Sequence, residues 1–223
     1  MTKPLYLYIH GFNSSPHSYK ARQLLLWLNS QELDGQIVVP KLPYQPGVAI
    51  SLLETLIDKQ IKQQPDQPLV LLGSSLGGFY ATWLTEKFAA VHDIRTVLIN
   101  PSVRPFDLLE VWLGDNENIY THEKYQLNRD HLAQLKALHC STLSDASRYL
   151  LLTQTDDEVL DYRQAVEMYA ASPQWVIKGG DHGFQQFERC WPRIFDFAGD
   201  RHLQQLAQCA LDDGSLAKMM AVL

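Results

Sequence analysis

Cysteine is scarce in this chain and scattered: Cys140, Cys190 and Cys209 among 223 residues, odd in number and without C-x-x-C spacing. That excludes a disulfide framework and a zinc-ribbon site, and it leaves the three as ordinary buried or partly buried thiols. Basic clusters are lacking too. Nineteen Lys and Arg against 25 Asp and Glu give a formal net charge of -6, with no Lys/Arg-rich patch or stripe, so nucleic acid is not an expected partner. No apolar run approaches the roughly 20 residues of a membrane span. Met1-Thr2-Lys3-Pro4 leads into a strand too short for a secretory h-region, with no small-residue cleavage site. These absences predict a soluble, cytoplasmic protein.

What the chain does contain is an alternation of strands and helices, with no repeat and no low-complexity segment. Strands are expected at Leu5–Ile9, Ile37–Val39, Leu69–Leu72, Thr96–Asn100, Tyr149–Thr153 and Gln174–Ile177. Ser15-Pro16 reads as the N-cap and first turn of a helix running to about Asn29. Pro43 to Gly47 reads as a loop before a helix whose face is Ile50, Leu53, Ile57 and Ile61, and another helix is expected from about Tyr162 to Ala171. The pattern predicts one α/β domain of about six mainly parallel strands flanked by helices. It breaks between Pro101 and Ser147, read as a small cap insertion over the carboxyl ends of the strands, with a helical stretch around Asp130 to Leu138. From Gly199 to Leu223 the chain reads as a tail, amphipathic through Leu203, Leu206 and Ala210.

Gly73-Ser74-Ser75-Leu76-Gly77-Gly78 follows the apolar run Leu69-Val70-Leu71-Leu72 and precedes the helical run from Phe79 to Phe88. Strand, G-x-S-x-G and buried helix in that order describe a nucleophile elbow, with Ser75 at its tip and small residues two before and two after it. A serine hydroxyl is a weak nucleophile. It needs a base and the base an orienting acid, and in this architecture they follow in the order Ser, Asp/Glu, His. Asp157, just beyond the fifth strand, is the favoured acid, with Asp156, Glu158 and Asp161 as competitors and Asp161 better suited to an N-cap. His182, just beyond the sixth strand, is the base. His92, His122, His131, His139 and His202 fall in surface-like or helical contexts.

His10-Gly11-Phe12 ends the first strand in the manner of a loop that supplies one oxyanion-hole amide, the other coming from the residue after the nucleophile. That nominates the Phe12 and Leu76 N–H groups and gives the His10 side chain a structural role. Gly11, Asn13 and Asn100 are candidate substrate-binding residues. Arg104, beside Asp107 and Glu110, reads equally as a group facing an anionic substrate and as a salt-bridged surface residue.

Together these strings resemble the α/β-hydrolase superfamily and, within it, the small bacterial YqiA-type esterases related to the YcfP proteins. The resemblance rests on Tyr8-Ile9-His10-Gly11-Phe12-Asn13-Ser14-Ser15-Pro16, on Gly73 to Trp83, on Asn100-Pro101-Ser102-Val103-Arg104-Pro105, on Asp157 to Arg163 and on Gly179-Gly180-Asp181-His182. It extends to about Phe197. Ser102 stands where that pattern has alanine and Asp156 where it has glycine. The resemblance implies an α/β-hydrolase fold, Ser75 as nucleophile, Asp157 as acid and His182 as base. The implied substrate is a small-molecule carboxylic ester or acyl thioester, and neither cofactor nor metal is expected. Acyl transfer or peptide cleavage on the same three residues, and ligand binding without catalysis, are the alternatives. Oligomeric state is not legible.

Overall fold

The computed structural model describes residues 2–221. Its centre is a six-stranded sheet, all parallel: β1 (Leu5–Ile9), β2 (Ile37–Val38), β3 (Leu69–Ser74), β4 (Ile94–Ile99), β7 (Tyr149–Gln154) and β8 (Gln174–Ile177), in the order β2-β1-β3-β4-β7-β8. A separate antiparallel pair, β5 (Gly114–Glu117) and β6 (Lys124–Leu127), lies in the inserted segment.

Because side chains alternate across a strand, the four inner strands each feed two cores. Val70 and Leu72 join Tyr6, Tyr8, Val97 and Ile99 on one face, covered by α1 (Tyr19–Ser30), α7 (Trp191–Phe197), α8 (Arg201–Asp212) and α9 (Ser215–Met220). Leu69 and Leu71 join Leu7 and Ile9 on the other. That face is covered by α2 (Pro46–Gln63), α3 (Leu76–Phe88), α4 (Pro105–Leu108) and α5 (Arg129–Ala137). Helix α6 (Tyr162–Met168) packs Ala165 against Leu98, Tyr149 and Leu151.

Three local expectations need correction. Helix α1 starts at Tyr19 rather than at Pro16, because the Ser15 hydroxyl accepts from the His17 N–H and the Ser15 carbonyl from the Ser18 N–H, which closes a turn instead of a helix. Helix α2 begins at Pro46, inside the expected loop; proline at the first helical position costs no hydrogen bond and pre-sets φ. The hairpin β5–β6 was not expected, since Gly114-Asp115-Asn116-Glu117 carries no apolar alternation. Only β6 has a readable pattern, Tyr125 and Leu127 in, Lys124 and Gln126 out.

The tail is helical and packed through Leu203, Ala207 and Leu216; Met1, Val222 and Leu223 lie outside the described residues. Burial raises the Cys140 thiol to about 11 and the Cys190 thiol to about 12, but Cys209 is exposed, contrary to expectation, because it lies off the buried Leu203–Ala207 face of α8. His92 is likewise buried rather than surface-like, and His131, in the helical context expected of it, is buried too. His92 bonds the Gln67 carbonyl, and His131 closes a capping box with Asn128. No helix among the described residues is long and apolar enough to cross a membrane.

Candidate active site

Strand β3 runs directly into α3 through Ser75, whose backbone sits at φ 54°, ψ -122°. A non-glycine residue pays about 1–3 kcal/mol for such a conformation, so its surroundings must impose it. They do so by close approach. A Cβ on Gly77 would lie 1.9 Å from the Ile9 carbonyl oxygen, and one on Gly73 would lie 2.6 Å from both the Gly77 oxygen and the Gly78 Cα. The Ser75 N–H donates to the Ile99 carbonyl, and the Ser102 and Gly78 N–H groups donate to the Ser75 carbonyl. The side chain is thereby lifted off the sheet at the amino end of α3.

The three residues singled out from sequence converge on one another. Ser75 Oγ is 3.1 Å from His182 Nε2, and His182 Nδ1 is 3.0 and 2.9 Å from the two carboxylate oxygens of Asp157. The Asp157 side chain is 1% exposed and also accepts from the Val159 and Leu160 N–H groups, which fix its plane. The competing acids are committed elsewhere. Asp156 accepts from the Thr155 hydroxyl, Asp161 caps α6 and pairs with Arg163, and Glu158 accepts from the His182 backbone N–H at 3.0 Å.

Ser75, His182, Phe12, Leu76 and Asn13 line one cleft of about 560 Å³. The segment after β4 builds its apolar wall through Pro105, Leu108, Leu109, Val111, Trp112 and Ile119. Several of these are open to solvent, with Val111 84% and Ile119 69% exposed. The hairpin is tied to the loop after β1: the Asn118 side chain donates to the Ser14 carbonyl, the Tyr125 hydroxyl to Asn13 Oδ1, and Phe12 packs edge-on against Trp112 and Tyr125.

Among the described residues, the Phe12 and Leu76 N–H groups donate to no protein acceptor. His10 lies below that loop, 3% exposed, its Nε2 accepting from the Leu42 N–H and its Nδ1–H donating to the Gly11 carbonyl. Burial pushes its pKa below the ordinary histidine value, against the Gly11 bond, and favours the neutral ring that Nε2 needs to accept from Leu42.

One candidate binding residue is placed differently from expectation. Asn100 does not face the cleft: it is 2% exposed and its amide is spent on the chain, Oδ1 accepting from the Gln154 N–H and Nδ2 donating to the Asp181 carbonyl. Gly11 is partly exposed and lies against Ser75, where a Cβ would meet the serine Cβ at 3.0 Å. Arg104 is an exposed partner of Asp107. Gln154 was missed in the sequence; its one signal is a polar side chain at the end of an apolar strand.

A parallel six-stranded sheet wrapped by helices on both faces, with a serine elbow after the third strand, defines the α/β-hydrolase fold. Solved structures of that class superpose on the chain. Est1E from Butyrivibrio proteoclasticus gives a TM-score of 0.63 at 12% identity, covering 98% of this chain and 89% of its own. The mouse alpha/beta hydrolase domain-containing protein 10 gives 0.57 at 15%, covering 94% and 88%. The esterase domain of a Rhodothermus marinus protein gives 0.57 at 16%, covering 94% and 88%.

The chain belongs to the uncharacterised protein family UPF0227, whose model matches residues 5–199. Among relatives, the UPF0227 protein YcfP of Salmonella arizonae is 25% identical over 192 residues, 84% of this chain and 93% of that one. A UPF0227 protein of Shewanella sediminis is 31% identical over 102 residues, 44% of this chain, and the match spans about half of that relative's length. The YqiA/YcfP resemblance carried by the motifs is thus borne out.

Proposed function

We propose that this protein is a serine hydrolase that cleaves carboxylic esters or acyl thioesters through an acyl-enzyme on Ser75. The observation that carries the reading is the unbroken hydrogen-bonded chain from the strained Ser75 hydroxyl through His182 to the buried Asp157 carboxylate, opening into a cleft. In this reading His182 Nε2 takes the Ser75 proton as Oγ attacks the acyl carbonyl, and Asp157 holds the ring with Nδ1–H pointing away from the serine and stabilises the imidazolium. The Phe12 and Leu76 N–H groups receive the oxyanion. His182 then returns its proton to the departing alkoxide or thiolate, and water, deprotonated by the same nitrogen, releases the acid.

The wall formed by residues 105–119 acts as the cap, and its apolar side chains suit an apolar acyl group rather than a charged one. The esterase names among the structural neighbours accord with this reading, although the likeness to them is one of fold.

Hydrolysis of p-nitrophenyl esters from acetate to palmitate, with fluorophosphonate labelling alongside, tests the proposal. Turnover and labelling should both disappear in Ser75→Ala. A wild type that neither hydrolyses any ester nor labels would instead make this a ligand-binding protein on a hydrolase fold, and aminolysis products or peptide cleavage in place of free acid would point to the transferase or peptidase alternatives.

A further inference from the structure

The segment that carries His182 contains neither helix nor strand from Lys178 to Gln186. Left to itself such a stretch would wander by more than a proton transfer tolerates, so its placement must come from elsewhere. It comes from side chains of other elements. The Gln154 carboxamide, at the end of β7, accepts through Oε1 from the Asp181 N–H at 3.1 Å and the Gln185 N–H at 2.9 Å, and donates through Nε2 to the Gln185 carbonyl at 2.8 Å. Asn100, just past β4, donates to the Asp181 carbonyl at 2.9 Å while its Oδ1 accepts from the Gln154 backbone N–H, so it also fixes the backbone from which the Gln154 side chain springs. The two therefore engage backbone groups on both sides of His182.

Both side chains are almost fully buried, at 2% and 3% exposure, beside the apolar Ile99 and Leu152. Burying an amide is worthwhile only where its bonds are all made, and packing alone would favour an apolar residue at either place. The glycine beneath the loop fits the same purpose. Gly180 has φ +82°, and a Cβ there would lie 1.9 Å from Gln154 Oε1, so the amide reaches the loop only because that position has no side chain. Asn100 itself sits at φ +41°, a conformation asparagine tolerates better than most residues.

We propose that Gln154 and Asn100 are positioning residues: a two-amide clamp that holds the His182 loop in register with Ser75 and Asp157. In its catalytic consequence this rests on the hydrolase reading above, but the clamp has a readout of its own.

The experiment uses Gln154→Met, which keeps bulk and loses every hydrogen bond of the side chain, and Asn100→Gly, which suits the positive φ and removes all of the side-chain bonds. Amide hydrogen exchange is followed at residues 181–185, and kcat and KM are measured on the best ester found for the wild type. The expected result is exchange at 181–185 faster by about tenfold or more, with β3 and β7 still protected. With it goes a kcat lower by about ten- to a hundredfold and a KM within about twofold, the pattern of misplacement rather than lost binding. Unchanged exchange in both variants overturns the clamp; faster exchange with kcat unaltered overturns its positioning role. A wild type that turns over no ester sinks the hydrolase reading, while the exchange data still decide the clamp.

Discussion

The proposed nucleophile and the proposed base are positioned by opposite means. Ser75 is fixed by contact between backbones: β3 and α3 meet so closely at Gly73, Gly77 and Gly78 that the chain between them has one course. His182 is fixed by hydrogen bonds from Gln154, Asn100, Glu158 and Lys20, the last donating to the Gly183 carbonyl at 2.8 Å, all from outside its own loop. A steric device tolerates no added atom, whereas a hydrogen-bonded one can lose a member and still fold. The difference implies that damage to the elbow registers as stability and damage to the base loop as rate.

The largest effects come from deleting the chemistry without touching either device. On the proposed mechanism, Ser75→Ala should lower ester turnover at least about a thousandfold with the Tm little changed, since the Phe12 and Leu76 amides remain but no acyl-enzyme can form. A variant that kept even a tenth of wild-type kcat would remove Ser75 from the reaction. Asp157→Asn should cost about a hundred- to ten-thousandfold in kcat, because an amide in that place also stabilises the wrong tautomer of His182. Fluorophosphonate labelling should slow in parallel rather than vanish, and labelling at the wild-type rate would contradict the assignment of the acid.

Gly77→Ala and Gly180→Ala sharpen the contrast. Each added Cβ would come to 1.9 Å from an oxygen, but at Gly77 that oxygen is the Ile9 carbonyl in the central sheet, while at Gly180 it is the end of the Gln154 side chain. Gly77→Ala should therefore destabilise by about 3 kcal/mol or more in urea unfolding, or fail to fold. Gly180→Ala should fold with a loss of about 1–2 kcal/mol, from its left-handed backbone, and show its main defect in kcat. Equal destabilisation by the two would erase the distinction between a steric and a hydrogen-bonded device.

The same distinction explains how much of the molecule was legible in its residues. The elbow could be read because its glycines and serine lie within six consecutive positions, Gly73 to Gly78, and the parallel strands because their runs are apolar. Asp157 and His182 could be placed because both follow strands whose ends point the same way. The clamp could not be read, since Asn100 meets Gln154 54 residues away and Asp181 81 residues away, and only the fold brings them together. Asn100 consequently looked like a pocket residue. The β5–β6 hairpin escaped for a different reason: its first strand is polar throughout, and what holds it is Asn118 and Tyr125 reaching back to the loop at Asn13 and Ser14.

The smallest effect concerns the loop that carries Phe12, held from below by His10. Burial lowers the His10 pKa below its ordinary value, so between the folded and the unfolded value the unfolded chain binds the proton and the folded chain does not. This contribution to stability is therefore complete above about pH 6.5 and is lost as the pH falls toward and through the lower folded value. Protonation would place a donor where Nε2 now accepts from the Leu42 N–H, setting two donors against each other. The loop should loosen before the sheet does, because β1 is paired on both sides whereas residues 11–15 are not. Thermal unfolding followed from pH 8 to pH 5 should show a decline in Tm below about pH 6.5 that is shallower in His10→Gln, which cannot titrate. Identical slopes for the two proteins would mean that other groups govern the acid side of the stability curve.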